Sequence, residues 1–333
     1  MSSQSQYHKL VVLITGATGY IGGSVLSRLL SLPNAHSKYE FRAIVRNADK
    51  AKILEEKFGV KAIVGSHSDQ GLMEKEASEA DVVLAMADCD DVDAAGGINK
   101  GLKKKFEATG KRPILVHTTG AAVLNDTAVG EFTSEEIYDD ENVQQLETIS
   151  PDALHRLVDL KVLEADEAVD AGVANSRTII FKMLVPPAVK RGYGIIVGKG
   201  ENVWLNVHID EAAEFYVLMF TSVLDDSKNV PHGREGYLFL GAEEHKAVQY
   251  YNEVSKVLFE LGKVKSPDPR PLGEDEAVKH FGPWGAVARV ALGGNARFVG
   301  NRARKLGWVP VKGTQEFIAS LRKEVGYWLE TLD

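Results

Sequence analysis

The sequence has 333 residues, is 44% hydrophobic and carries a formal net charge of -8, so it can form one large domain or two modest ones. An acidic chain lacks the basic face that nucleic-acid binding needs, and no apolar run approaches a membrane span, so neither partner is expected. A single cysteine, Cys89, excludes an internal disulfide, and the polar N-terminus carries no targeting signal, so a cytoplasmic location is expected.

The first predicted elements lie in residues 10–23. Five consecutive apolar residues precede three glycines at three-residue steps, Gly16, Gly19 and Gly22. The pattern predicts a buried strand, a tight turn and an amphipathic helix, in the order that a dinucleotide site requires. We interpret Gly16 as permitting the turn, Gly19 as admitting a pyrophosphate and Gly22 as allowing close helix packing, with the first amides of the helix facing the anion.

A second strand is predicted over residues 39–45, and Arg46 follows it directly, with Lys50 one helical turn later. An NAD-binding unit usually carries an acidic residue at this position for the ribose hydroxyls. A guanidinium instead suits the 2′-phosphate of NADP, because it makes charge-assisted, bidentate hydrogen bonds. The sequence therefore favours NADP over NAD, the alternative being a solvated surface arginine.

Three further strands alternate with helices, over residues 60–64, 80–87 and 113–117. Asp69 is expected to cap the helix after the first of them. The acidic patch at residues 88–93 is interpreted as a solvated loop, because no histidine joins it and its spacing matches no metal-binding loop. No metal site is therefore expected.

This alternation predicts an α/β fold with a doubly wound parallel sheet. Ligands of such sheets bind at the carboxyl ends of the strands. The strand-end residues are therefore the first site candidates: Gly16, Arg46, Ala87, Thr118 and Thr119.

Residues 121–150 are acidic and aperiodic, and a loop of that length is usually functional or mobile. Ser150 and Pro151 then open the best-defined helix, which Gly172 ends. One face of this helix is an apolar stripe that also contains Lys161, the other members being Leu154, Leu157, Val158, Ala165 and Ala168. A lysine there either reaches sideways to solvent or has a polar task.

A sixth strand is predicted over residues 177–185, ended by Pro186 and Pro187, after which the alternation loosens. The later predictions are a helix capped by 206–210, a strand at 236–240, a helix at 245–261, an extended connector at 265–271, an aromatic loop at 281–285 and closing helices at 302–308 and 314–332, with Trp308 in the core. We expect a cofactor-binding domain at residues 1–185 and a smaller, mixed substrate-binding region at 186–333, with about 206–224 returning to the first domain.

Three segments in a fixed order carry a resemblance to a known family. They read Thr-Gly-Ala-Thr-Gly-Tyr-Ile-Gly at 15–22, Asn-Val-His-Ile-Asp-Glu-Ala-Ala at 206–213 and Lys-Leu-Gly-Trp-Val-Pro at 305–310. The chain resembles, over almost its whole length, an extended short-chain dehydrogenase/reductase of the atypical sort that includes epimerase-like and NmrA-like proteins. The resemblance implies a Rossmann fold, an NAD(P) cofactor and a small-molecule substrate.

The cofactor contacts follow from the strand ends and from this resemblance together. They are Gly16, Thr18, Gly19, Tyr20, Ile21, Gly22, Arg46, Lys50, Ser66, His67, Met86, Ala87, Thr118, Lys161, Leu184 and Pro186. Ser66 or His67 would replace the aspartate that the family often places against the adenine. Leu184 to Pro186 would flank the nicotinamide.

The resemblance also implies the catalytic residues. Such enzymes carry a Ser or Thr after the fifth strand, and a Tyr-x-x-x-Lys pair whose lysine holds the nicotinamide ribose and whose tyrosine is the general acid or base. Thr119 matches the hydroxyl and Lys161 the lysine, but Leu157 takes the tyrosine's place. No tyrosine in the sequence has a lysine four residues on.

Residues close to Lys161 offer no obvious substitute for this tyrosine. On a regular helix His155 and Asp159 turn away from the face of Lys161. The remaining substitutes are Thr119, Tyr138, Tyr193, His208 and Lys161 itself, which would act as the lysine does in the isoflavone-reductase-like branch that the chain also resembles. His208 is favoured as a structural residue, because the family segment that it matches usually packs beneath the site.

Three functions fit these residues. The first is an NADP-dependent oxidoreductase acting on a small carbonyl, alcohol or conjugated double bond. In it Thr119 polarises the substrate oxygen and Lys161 positions the ribose. The second is an NmrA-like redox sensor that binds the dinucleotide without turnover and contacts a protein partner through residues 121–150. The third is a nucleotide-sugar epimerase or dehydratase, which the missing tyrosine disfavours. A homodimer or a regulatory partner is left open.

Overall fold

The computed structural model describes residues 9–168, 172–174, 180–225 and 230–332. The strands are β1 (Leu10–Thr15), β2 (Tyr39–Val45), β3 (Lys61–Val64), β4 (Val82–Ala85), β5 (Ile114–His117), β6 (Tyr138–Asp139), β7 (Gly172–Ala174), β8 (Ile195–Ile196), β9 (Val203–Asn206), β10 (Tyr237–Leu238), β11 (Glu243–Lys246), β12 (Arg270–Pro271) and β13 (Phe298–Val299).

The α-helices of the same residues are α1 (Tyr20–Leu30), α2 (Ala35–Lys38), α3 (Ala48–Phe58), α4 (Gln70–Glu79), α5 (Val92–Thr109), α6 (Val143–Glu147), α7 (Arg156–Ala168), α8 (Ile180–Arg191), α9 (Ile209–Val223), α10 (Ala247–Glu260), α11 (Glu274–Phe281), α12 (Gly285–Gly293), α13 (Asn301–Lys305) and α14 (Thr314–Glu330). No helix of the described residues combines the length and the apolar character that crossing a bilayer requires.

A parallel sheet of seven strands forms the centre of the N-terminal half, in the order β10-β7-β5-β4-β1-β2-β3. The predicted strands β1 to β5 occupy its middle and one edge. Strand β1 is buried from its second residue onward, as expected of a continuous apolar run between two helical layers. The predicted α/β fold with a doubly wound parallel sheet is confirmed.

Helices cover both faces of this sheet. On one face α1 and α9 pack together, and residues such as Val25, Leu29 and Phe215 share a core with Trp308. On the other face α4, α5 and α7 enclose a second core that includes Met73. The prediction that Trp308 lies in the core is confirmed, and α9 packs against α1. The predicted domain boundary stays a prediction.

Glycines bring α5 unusually close to α4. A Cβ at Gly97 would lie 2.6 Å from the carbonyl oxygen of Gln70, and one at Gly101 would lie 2.5 Å from that of Glu74. Larger residues would push the helices apart. Because α5 begins directly after β4, this packing fixes the start of the helix against the carboxyl end of the sheet.

The predicted sixth strand is wrong where it is described. Residues 180–191 form α8, which also contains Pro186 and Pro187, while residues 177–179 lie outside the described part of the chain. The buried positions Phe181, Leu184, Val185 and Ala188 recur at helical spacing, and they pack with α10 and α14 in the core of the smaller C-terminal region. The strand beside β5 is instead β7.

Two other elements differ from their predictions. The helix expected from Pro151 begins only at Arg156, because His155 adopts a left-handed backbone conformation with a φ of 68°, which a helix cannot contain. Residues 169–171, at its predicted end, are not described. The aromatic loop expected at residues 281–285 is helical, since α11 and α12 are joined by a 3₁₀ turn at Gly282–Trp284.

Candidate functional site

The glycine turn between β1 and α1 closes tightly on its neighbours. Gly16 has a φ of 71°, and a Cβ there would lie 2.4 Å from the carbonyl oxygen of Met86; a Cβ at Gly22 would lie 2.2 Å from that of Gly16. No described side chain caps α1 at Gly19. The turn thus leaves the positive end of a helix dipole beside a backbone that only glycine permits, as a pyrophosphate site requires.

Other residues of the turn divide between surface and core. Thr18, Gly19 and Tyr20 are exposed, whereas Ile21 is buried in the core against the sheet. A dinucleotide would therefore meet the backbone of Ile21 and not its side chain. The exposed members lie on the surface of the protein.

A threonine ties the glycine turn to the next strand end. Thr15 Oγ1 accepts hydrogen bonds from the backbone N–H groups of Met86, at 3.0 Å, and Ala87, at 3.1 Å. This bridge holds the carboxyl ends of β1 and β4 at one level. Met86 and Ala87 thus lie beside the turn, as the sequence predicted for the edge that binds ligands.

The basic pair predicted for the 2′-phosphate is on the surface at the end of β2. Arg46 and Lys50 are both exposed, and Asn47 between them caps α3 by accepting from the Lys50 backbone N–H at 3.0 Å. The cap fixes the backbone between the two cations. Both cations therefore stand at one corner of the sheet, open to an anion.

The adenine candidates after β3 have separate surroundings. Ser66 Oγ accepts from the Ser68 backbone N–H at 3.2 Å. His67 turns toward the start of α5, with Nε2 3.5 Å from a carboxylate oxygen of Asp91, and lines a cleft with Thr15, Ala87 and His117. His67 is thereby brought to the strand ends, and Ser66 stays in its own loop.

The two threonines after β5 face opposite layers. Thr118 Oγ1 lies 2.5 Å from the hydroxyl of Tyr216, a fully buried residue of α9. Thr119 is also buried, but on the side of α7, and its hydroxyl has no hydrogen-bond partner among the described residues. The Thr118 hydroxyl thus connects sheet and helix, while that of Thr119 is buried on the side of Asp159.

An acid of α7 lies behind Thr119. Asp159 is 0% exposed, and burial raises the pKa of its carboxyl to about 6, although the Thr119 hydroxyl and the Arg156 guanidinium act in the opposite direction. Arg156 in turn donates to the hydroxyl of Tyr237 over 2.8 Å. Arg156 thus connects the start of α7 to the sheet-edge strand β10, and its charge acts on the buried Asp159.

Three side chains meet above the ends of β4 and β5. His155 Nδ1 lies 2.7 Å from Asp90 Oδ1 and 3.4 Å from Cys89 Sγ. The expectation that no histidine joins the acidic patch is therefore wrong. This expectation failed because Asp90 and Cys89 precede His155 by 65 and 66 positions in the sequence, and only the sheet topology brings them together.

Neighbouring groups set the charge of this cluster. Burial alone would lower the pKa of His155, but the hydrogen bonds to Asp90 and Cys89 outweigh it and raise the pKa to about 10. His117, buried beneath, has its pKa lowered to about 4, first by burial and then by the charge of His155. At neutral pH the cluster thus combines an imidazolium with a neutral imidazole.

Helix α7 carries positions 157 and 161, where the resemblance places the catalytic pair. The face that α7 turns to the core differs from the predicted one. Leu157, at the tyrosine's position, is 64% exposed, so the apolar stripe is wrong at this residue. The side chain of Lys161 is 37% exposed and its ammonium donates to Glu164 Oε2 over 2.5 Å. The structure brings Asp159, not Lys161, to Thr119, so the role of Lys161 stays a prediction.

Leu184 and Pro186 lie on α8. The Leu184 side chain is 1% exposed within the C-terminal core, and Pro186 is half-buried on the same helix. The expectation that they flank a nicotinamide depended on a strand that ends at the sheet edge, and this strand is absent from residues 180–191. Their contact with the cofactor has lost that structural basis.

A second segment of the resemblance has a structural role. His208 caps α9 by accepting from the Asp210 backbone N–H at 3.1 Å, and Asp210 pairs with Arg28 of α1 at 2.7 Å. These contacts attach α9 to the helix that follows the glycine turn. The favoured interpretation of His208 agrees with this placement.

Comparison with known proteins finds a family match in the N-terminal part of the chain. Residues 8–103 match the model of the NmrA-like family. An oxidase named ucsJ from an Acremonium species is 27% identical over 335 aligned positions, which cover 90% of this chain and 92% of the relative.

Solved structures share the fold over nearly the whole chain. The Citrobacter sp. triphenylmethane reductase complexed with NADP(H) gives a TM-score of 0.59 at 18% identity, covering 94% of this chain and 100% of the reductase. A dTDP-glucose 4,6-dehydratase from Streptomyces venezuelae with NAD bound gives 0.58 at 15% identity, covering 96% and 97%. The described chain thus shares the overall fold of these two structures.

The sequence-based interpretation missed the polar cluster around His155. It dismissed His155 and Asp159 because both turn away from Lys161, and it took the face of Lys161 as the inner one. The spacing around residue 155 carries no signal for this cluster, because His155 lies outside α7 in a left-handed conformation. Asp90, five residues after β4, was the partner to look for.

Proposed function

We propose that the chain is an NADP(H)-dependent oxidoreductase that acts on a small carbonyl, alcohol or conjugated double bond. The observation that carries the proposal is the closure of the Gly16 turn on Met86, beside an uncapped helix start and the buried, unpartnered Thr119 hydroxyl. A phosphate-binding backbone and a donor for a substrate oxygen thus share one sheet edge.

The residues present fit the cofactor, because a side chain at Gly16 or Gly22 would fill the turn. The backbone of the turn would hold the pyrophosphate, and Arg46 with Lys50 would hold a 2′-phosphate. When bound, NADPH would supply a hydride. Thr119 would donate a hydrogen bond to the substrate oxygen and so stabilise negative charge that develops there.

Two measurements test this function. NADPH and NADH are titrated against the purified protein by their fluorescence, and NADPH consumption is then followed with a panel of aldehydes, ketones and enones. We expect NADPH to bind at least tenfold more tightly than NADH and to be consumed with at least one class of acceptor. Absence of NADPH binding, or binding without consumption on any acceptor, contradicts the proposal.

A redox sensor is the second candidate, supported by the NmrA-like match and by the absence of a Tyr-x-x-x-Lys pair. Such a protein binds the dinucleotide and reports its oxidation state instead of turning it over. The discriminating measurement is the affinity for NADP⁺ against that for NADPH. A large difference together with no consumption on the panel favours the sensor.

A further inference from the structure

The imidazole of His155 lies directly over the end of β5. A Cβ added to Gly120 would be 2.4 Å from Nε2, so only glycine at that position leaves room for the ring. Both recorded partners contact Nδ1, and Nε2 has no hydrogen bond within the described part of the chain. The free nitrogen therefore lies over Gly120, the residue that follows Thr119 in the chain.

The backbone at His155 is adapted to this position. A φ of 68° is rare for a residue with a side chain, and strain of this kind persists only where the surroundings stabilise it. Here the contacts with Asp90 and Cys89 stabilise the conformation of His155, and Gly120 leaves room for its ring. The strained turn lifts the ring out of α7 and toward the strand ends, which a regular helix would not do.

The contact between His155 and Asp90 has the length of a direct hydrogen bond. His155 Nδ1 and Asp90 Oδ1 are 2.7 Å apart, whereas two ligands each about 2.0–2.1 Å from a tetrahedral Zn²⁺ lie roughly 3.3 Å apart. A short N–H to carboxylate contact is typical of a charge-assisted hydrogen bond. Asp90 thus holds the proton on Nδ1 and leaves Nε2 to face the site.

We propose that His155 is the proton donor that replaces the missing tyrosine, and that Asp90 is the positioning residue that orients its ring. The inference rests on the proposed function. A carboxylate that fixes the far nitrogen of an imidazole is a recurrent device of general acid–base catalysis. His155 then has the role that the resemblance gave to the tyrosine of a Tyr-x-x-x-Lys pair.

The proton transfer balances as follows for a carbonyl substrate. The hydride received by the carbonyl carbon leaves a negative oxygen, which takes the proton from His155 Nε2. One N–H bond breaks and one O–H bond forms, so the products are an alcohol and a neutral imidazole that still donates from Nδ1 to Asp90. Solvent then returns the proton to Nε2.

The charged groups around His155 determine how turnover should depend on pH. Asp90 and Cys89 face it from the loop after β4, His117 from β5, and Asp159 from its own helix. Since reduction needs the imidazolium, turnover should fall as the pH rises through the pKa of His155. Oxidation of the alcohol needs the neutral form, so it should rise over the same range.

The test uses the variant His155→Asn, because asparagine tolerates a left-handed backbone better than most residues but is no acid. Asp90→Asn tests the positioning residue, and His36→Asn, at an exposed site on α2, is the matched control. The readout that needs no substrate is NMR of ¹⁵N-histidine-labelled protein, with and without NADP⁺. The second readout is NADPH consumption on the acceptor panel.

We expect His155 to carry both ring protons at neutral pH, to lose one at lower pH in Asp90→Asn, and to shift when NADP⁺ binds. We expect His155→Asn to lower kcat about 10²–10⁴-fold, with NADPH affinity within twofold and no effect in His36→Asn. A neutral His155, no response to NADP⁺, or unchanged turnover in His155→Asn overturns the inference while the proposed function survives. If the wild-type protein consumes no NADPH, the proposed function itself fails, and the proposed role of His155 fails with it.

Discussion

The two ends of the candidate site are built by different means. The end proposed to bind the cofactor phosphates, called the phosphate end, is made of backbone. Its shape depends on how closely the backbone at Gly16 and Gly22 approaches neighbouring carbonyl groups. The reacting end is made of side chains from separate segments: Asp90 after β4, Thr119 after β5, and His155 and Asp159 around the start of α7. The first is fixed by a local pattern, whereas the second depends on topology and can change its chemistry while the fold stays.

The largest effect is expected from a substitution that disrupts the phosphate end. Gly16→Ala should destabilise the protein by about 3 kcal/mol or more, because its Cβ would meet the backbone at Met86 in addition to the left-handed strain, and should lower NADPH affinity more than 100-fold. Gly110→Ala is the control, since Gly110 has a φ of 66° but nothing within 4 Å of a Cβ. It should lose only about 1–2 kcal/mol.

Urea unfolding and NADPH titration of both variants check this prediction. Equal losses in Gly16→Ala and Gly110→Ala would mean that the backbone angle alone matters at the turn. The close approach of the turn to β4 would then have no part in the phosphate end.

The second prediction concerns the reacting end and its buried acid. Burial raises the pKa of Asp159 from 3.8 to about 6 in the folded protein, so the folded state binds more protons than the unfolded state between these values. Its contribution to stability therefore falls as the pH rises from about 4 to about 6, by about 3 kcal/mol. Asp159→Asn should remove that fall.

The measurement is the difference in unfolding free energy between wild type and Asp159→Asn across this pH range. Asp140, whose pKa burial also raises to about 6, is present in both proteins, so its effect cancels. A difference that stays constant with pH would show that Asp159 is charged in the folded protein throughout, and that the Thr119 hydroxyl and the Arg156 guanidinium stabilise it fully.

A smaller effect is expected at the far corner of the phosphate end. Arg46→Ala should weaken NADPH binding by about 1.5–3 kcal/mol, the contribution of a hydrogen bond to a charged group, and should leave NADH binding nearly unchanged. Lys52→Ala, an exposed lysine of α3 paired with Glu56, is the control. If Arg46→Ala lowers the affinity for NADPH and NADH to the same extent, Arg46 contacts a part of the dinucleotide other than the 2′-phosphate.

The sequence predicted what local patterns determine. Strand β2 was predicted to the residue, β1 and β3 to β5 nearly so, and Asp69 does cap α4. An apolar run such as 180–185 is ambiguous between strand and helix by composition alone, and the partners that decide it lie on α10 and α14. The phosphate end therefore came from the sequence, and α8 did not.

The reacting end was beyond reach for a related reason. The meeting of His155 with Asp90 needs both the parallel neighbours β4 and β5 and a left-handed residue ahead of α7. Nothing in the spacing around residue 155 signals that conformation, because Ser150 and Pro151 are good helix-start residues by themselves. Counting from Lys161 on an ideal helix then gave the wrong inner face.

The smallest expected effect concerns Lys161, the residue that the resemblance makes catalytic. In the structure its ammonium is engaged by Glu164 on a partly exposed side of α7, and such pairs contribute about 0.2–1 kcal/mol. Lys161→Ala should therefore change stability by less than about 1 kcal/mol and NADPH affinity less than tenfold, with Glu164→Gln as the matched control for the pair. If Lys161→Ala alone lowers affinity or turnover more than tenfold, the lysine leaves Glu164 for the nicotinamide ribose when the cofactor binds. The reacting end would then keep the family's lysine beside the histidine of this chain.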